Sequence, residues 1–112
     1  AIERAVHGEP FHIDFGGSLD FQHARDVAAA FIHAARVELP GAPTFNLAGH
    51  CTTVAAFAEM VETVTGFSGI TVGDTPLPVI EGADATDWFE VAGGPAPTPL
   101  REAIESSARI FA

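Results

Sequence analysis

Residues 16–28 read Gly16-Gly17-Ser18-Leu19-Asp20-Phe21-Gln22-His23-Ala24-Arg25-Asp26-Val27-Ala28, and the periodicity of the chain changes within them. Two glycines interrupt the chain. Leu19 and Phe21 then alternate with Asp20 and Gln22 at the two-residue period of a strand, and Asp26 opens an apolar run of helical length. Just upstream, Phe11, Ile13 and Phe15 alternate with His12 and Asp14, so the two alternating runs about Gly16-Gly17-Ser18 predict a β-hairpin. Downstream, Val27 to Val37 predicts a helix running to about Glu38, with Asp26 as its N-cap and Pro40-Gly41 as its stop. Only His33, Arg36 and Glu38 are polar beyond its start, and a helix apolar on nearly every side expects cover from more than one direction.

The flanks extend this pattern. Ala1 to His7 reads as the end of a helix that begins upstream, stopped by Gly8 and Pro10. Thr44 to Ala48 reads as a short buried strand. Thr53 then caps a helix with Val54, Phe57, Ala58, Val61 and Val64 facing inward, closed by Gly66. Ile70 to Val72 predicts a minor strand, Asp74 to Gly82 a proline-rich loop, and Asp84 to Val91 a short helix. Thr98, with Pro99 at the first helical position, opens a closing helix whose Leu100, Ala103, Ile104, Ala108 and Phe111 form the inner stripe. The expected fold is α/β (α+β), a small mixed sheet with about three to four helices, in a single domain over residues 1–112.

Composition narrows the function. Fifteen acidic side chains face five arginines, a formal net charge of −10. That field repels phosphate backbones and anionic headgroups, so neither nucleic acid nor membrane is expected as a partner. The lone Cys51 has no partner for an intramolecular disulfide. The chain contains neither lysine nor tyrosine, which excludes chemistry by a Lys amine or a Tyr phenol within it. Its longest apolar run, Val27 to Ile32, is far below the ~20 residues of a membrane span, and the expected location is cytoplasmic. A mean hydropathy of +0.25 with nine Phe is high for so small a domain and points to apolar surface meant for a partner.

In order along the chain, the Gly16 to Ala28 stretch, then Phe45-Asn46-Leu47-Ala48-Gly49, then a Thr53-Val54 helix start closed by Thr65-Gly66, then Pro76-Leu77-Pro78, and finally Thr98-Pro99-Leu100-Arg101-Glu102-Ala103-Ile104 resemble the C-terminal part of the extended short-chain dehydrogenase/reductases, the NAD-dependent epimerase/dehydratase family. The resemblance covers nearly the whole chain. It implies the substrate-side part of such an enzyme, which shapes the substrate pocket and completes the main sheet, with Phe15, Gly17, Leu19, Phe21 and Gln22 as the substrate-binding residues. The parent family uses NAD or NADP on a glycine-rich strand-to-helix turn and a Tyr with a Lys four residues later. Neither feature is present here. The expectation is therefore no catalytic residue, no cofactor bound by this chain, and a catalytically inert part that pairs with a Rossmann-type half or with itself. One departure concerns substrate. Family members acting on nucleotide sugars commonly carry Arg before the hairpin Asp, where a guanidinium grips the diphosphate, and here that position is Leu19. A less charged hydroxy or keto acid or sugar derivative is the expected substrate class of the parent enzyme.

Other polar groups have structural as well as chemical readings. His12, Asp14, Asp20 and Gln22 would share one hairpin face, with His23 next to it, suited to a polar substrate more than to a metal, since no pair has zinc spacing. Asp26 reads as a helix cap, His33 as a packed histidine, His50-Cys51 as loop residues before Thr53, and Trp88-Phe89 as packing onto the core. The alternative reading is a standalone oligomeric binding or interaction module derived from that family; a small metal-dependent enzyme using the hairpin face is a third.

Overall fold

A computed structural model describes all of residues 1–112. In chain order its elements are α1 (Ile2–Val6), β1 (Phe11–Ile13), β2 (Ser18–Phe21), α2 (Ala24–Arg36), β3 (His50–Thr53), α3 (Val54–Thr65), β4 (Ile70–Val72), α4 (Thr86–Glu90) and α5 (Leu100–Phe111). The class is mixed α/β as expected. The helices number five because two are single short turns of five residues. None is long and apolar enough to cross a membrane.

The expected hairpin is not formed. β1 pairs in parallel with β4, Phe11 opposite Ile70 and Ile13 opposite Val72, while β2 pairs antiparallel with β3, Ser18 opposite Thr53 and Phe21 opposite His50. Alternation along a strand reports which side chains share a face and says nothing about which backbone lies alongside. The glycines between the two runs are a crossing, not a turn. Gly16 N–H donates to the Thr75 carbonyl (3.0 Å), and Gly17 accepts from Val54 N–H (2.9 Å). A Cβ on Gly16 would run into the Gly73 carbonyl, and one on Gly17 (φ +77°) would stand 2.7 Å from Pro76 Cβ. Consequently His12 lies in one sheet, with Asp14 just past the end of β1, and Asp20 in the other, so the shared polar face does not exist.

Each sheet has only two strands, which is marginal without helices packed on it. α3 supplies much of that support. Thr53 Oγ1 accepts from Ala56 N–H (3.0 Å), and Gly66 closes the helix in the left-handed conformation, φ +72°. Val54, Ala58 and Val61 are buried as their spacing requires. Val61 joins Ala5 of α1 and Ile104 of α5 in one core. A second core gathers Ala30 of α2 with Ala85, Trp88 and Ala92, flanked by Leu39, Phe45, Leu47 and Ala48. His33 donates from Nε2 to the Ala92 carbonyl (2.6 Å) and meets Trp88 edge-on, the packed histidine expected.

The remaining differences concern element ends, one expected strand, and His50-Cys51, expected in a loop but paired as β3 with Phe21 and Asp20 of β2. Thr44–Ala48 forms no ladder. Its Phe45, Leu47 and Ala48 are half-buried against the Trp88 core, so packing accounts for the apolar run without a strand partner. α2 begins at Ala24 with His23 as N-cap, and Asp26 sits inside its first turn without capping it. α5 begins at Leu100, with Pro99 in the N-cap position, one residue later than Thr98 suggested. The expected cover around α2 is also lacking. Ala30 is its one buried residue, and Phe31 and Ile32 are 70% and 52% exposed.

The molecule is a thin slab, 50 × 31 × 16 Å. Its radius of gyration is 16.0 Å, where a compact chain of this length would have about 13 Å.

Candidate functional site

β1 and β2 diverge from the Gly16-Gly17 crossing to pair with different partners, and the divergence opens a cleft between them. Phe11, Ile13 and Phe15 share one parity along β1 and its extension, so they present the same side of the chain. Leu19 and Phe21 of β2 form the opposite wall. Val54 and Phe57, three residues apart on α3, close the floor. The Phe21 and Phe57 rings stack with centroids 4.3 Å apart and planes within 9°. The cleft is about 350 Å³ and open to solvent. A smaller cavity of about 150 Å³ lies beyond the stacked pair, which lines both.

Polar groups occur only at the cleft's rim. His12 Nδ1 is 2.7 Å from Thr71 Oγ1, a hydrogen bond that fixes the imidazole across the β1–β4 pair. His12 Nε2 is 3.8 Å from Asp14 Oδ1, and the Asp14 side chain is 94% exposed. No arginine lines the cleft. Arg4 and Arg101 are engaged elsewhere, with Glu9 and Glu105.

Of the five residues named as substrate-binding, Phe15, Leu19 and Phe21 meet in this cleft. Gly17 and Gln22 do not line it. Gly17 belongs to the strand crossing. Gln22 lines the smaller cavity and donates from Nε2 to the Leu47 carbonyl (3.3 Å), tying down the 44–49 segment. Phe57 was missed as a cleft residue because its helical spacing marks it as core, and only the stack with Phe21 brings it to the cleft. Phe11 and Ile13 carried a usable signal, the parity they share with Phe15. No three His, Cys, Asp or Glu side chains converge as metal ligands would. Cys51 is exposed, and neighbouring His50 donates from Nε2 to the Thr98 carbonyl (2.6 Å).

Structures of the same shape are known. The chain superimposes on the apo form of a GalE-like L-threonine dehydrogenase from Cupriavidus necator with a TM-score of 0.83 and 19% identity, over 99% of this chain and 44% of that one. A UDP-glucose 4-epimerase from Thermotoga maritima, solved with UDP-glucose, gives 0.78 and 24% over 98% of this chain and 37% of its own. MoeE5, in complex with UDP-glucuronic acid and NAD, gives 0.76 and 29% over 97% of this chain and 40% of its own. The fold is that of the C-terminal part of extended epimerases and dehydrogenases. The chain spans about two fifths of the length of these proteins. No protein-family model and no curated protein matches its sequence. Within this epimerase/dehydrogenase fold, the cleft between β1, β2 and α3 takes Leu19 and Phe21 from the residue stretch that carried the resemblance and Phe15 from the position just before it.

Proposed function

We propose that this chain is the substrate-side part of an NAD(P)-dependent epimerase/dehydrogenase-like oxidoreductase, contributing the walls of a small-molecule site and none of the redox chemistry. The observation that carries this reading is the cleft itself, where Phe15, Leu19 and Phe21 converge with Val54 and Phe57. A concave site with apolar walls and a few polar groups at one end is the usual form of a small-ligand pocket. The C. necator neighbour is named for L-threonine and the T. maritima neighbour was solved with UDP-glucose, so one fold accommodates very different ligands. Leu19 and the arginine-free lining favour a ligand without a diphosphate.

The test is a two-dimensional ¹⁵N–¹H titration of the chain with a library of neutral sugars, amino acids and aryl alcohols. Shifts clustered on the amides of Phe15, Leu19, Phe21 and Phe57 are expected. Shifts confined to α2, or none, would overturn the reading. A second reading, an interaction module that works as an oligomer, is favoured by Phe31 and Ile32 standing exposed on α2, and shifts confined to that helix would support it.

A further inference from the structure

Resting on the site reading above, the character of the cleft's rim carries the argument further. Four phenylalanine rings, Phe11, Phe15, Phe21 and Phe57, line the cleft and make its surface largely aromatic. Two of them, Phe21 and Phe57, are stacked in parallel. The charged side chain at the mouth is a carboxylate, Asp14, beside the His12 imidazole that Thr71 holds in place. No Lys or Arg side chain lines the cleft, and the whole chain carries a formal charge of −10.

We infer that the cleft selects a small organic molecule with an apolar, ring-sized body and an ammonium or hydroxyl head, the head at His12 and Asp14, and discriminates against the anion of the same shape. Aromatic faces attract cations, and a desolvated anion against them with no counter-charge is disfavoured. Nucleotide diphosphates and carboxylic acids are both disfavoured by this chemistry, which removes the hydroxy or keto acid from the expected substrate class and narrows it beyond the absence of a diphosphate site.

The experiment compares three probes of nearly equal size by the same amide titration: 2-phenylethylammonium, 2-phenylethanol and phenylacetate, with UDP as a fourth. The ammonium is expected to bind best, the alcohol next, and phenylacetate at least about tenfold more weakly than the ammonium. Asp14→Asn should weaken the ammonium far more than the alcohol and so remove the advantage of the ammonium over the alcohol. Leu19→Arg should reverse the order in favour of phenylacetate and UDP. Binding of phenylacetate as tight as that of the ammonium overturns this inference and leaves the site reading standing. An undiminished ammonium preference in Asp14→Asn overturns it as well. If no probe shifts any cleft amide, both the site reading and this inference fail.

Discussion

The Asp26 carboxylate, in the first turn of α2, accepts both the backbone N–H (2.8 Å) and the hydroxyl (2.6 Å) of Thr98, 72 residues further on. Thr98 is held from its other side too, because His50 of β3 donates to its carbonyl. One residue thus joins the start of α2, the start of β3 and the approach to α5. In a thin slab whose apolar contacts divide into two separate cores, such a tie supplies order that packing alone does not.

Removing it should be expensive. Hydrogen bonds to a charged group contribute about 2–3 kcal/mol when a partner is left unsatisfied. Asp26→Ala is expected to lower unfolding stability by roughly that amount, and Thr98→Val, which loses the hydroxyl's hydrogen bond and keeps the backbone N–H one, by less. Because the two share one interaction, the double variant should cost much less than the sum. Additive losses in urea melts would show that the pair is not coupled.

Glu62 predicts a pH effect. Its carboxylate accepts the backbone N–H groups of Gly69 (2.7 Å) and Ile70 (2.9 Å), and these two hydrogen bonds hold its pKa below the ordinary carboxylate value. The lowered folded-state value means that this contribution is complete above the unfolded carboxylate range and is lost as the pH falls through the folded pKa. Glu62→Gln should therefore destabilise the protein near neutrality and lessen the acid-side loss of stability. Melting curves from pH 7 down to about pH 3 check this; parallel curves for variant and parent would contradict it.

The strand crossing gives a third expectation. Gly16→Ala pushes a methyl group against the Gly73 carbonyl, a backbone atom that cannot rotate away. Gly8→Ala meets nothing within 4 Å and suffers only its positive φ of 69°. The first should cost several kcal/mol or prevent folding, and the second about 1 kcal/mol. Equal melting temperatures for the two variants would refute the tight crossing.

A fourth concerns the cofactor. No glycine-rich turn joins a strand to a helix here: β3 runs directly from Thr53 into Val54 of α3, and β2 reaches α2 through Gln22 and His23. Without converging amides to receive a pyrophosphate, the chain is expected to bind NAD(H) and NADP(H) no better than weakly. A calorimetric dissociation constant in the low micromolar range would overturn this.

The sequence carried the local signals well and the long-range ones poorly, for a physical reason. Thr53 and Gly66 mark α3 because capping and left-handed termination are decided within a few residues. β1 and β2 were placed as strands by their alternation, yet β1 pairs with a strand almost sixty residues on, and nothing in Phe11-His12-Ile13 encodes that choice. An acid beside a helix start usually caps it, and Asp26 has that pattern. Its partner proved to be Thr98, which itself looked like a cap for α5. The cleft is half legible: Leu19 and Phe21 lie in the stretch that carries the resemblance and Phe15 stands next to it, whereas Phe57 is core by its helical spacing and stacks on Phe21.

The last expectation is self-association through α2. Phe31 and Ile32 are 70% and 52% exposed on the same helix whose Ala30 is buried, so the helix is covered on one side only. Apolar area left in water costs about 25 cal/mol per Å², and a slab with twelve buried residues among 112 has little stability to set against it. Both two-stranded sheets also leave strand edges open. The charge of −10 opposes association of like copies, so salt should favour it by screening that repulsion. Light scattering is expected to show a dimer or larger assembly at micromolar concentration, growing with added sodium chloride. Phe31→Glu should return the chain to monomer with little change in melting temperature beyond the lost association, because the ring makes few contacts within its own molecule. A cooperatively melting monomer of the unsubstituted chain across that concentration and salt range would mean that these residues hold their own fold without covering α2.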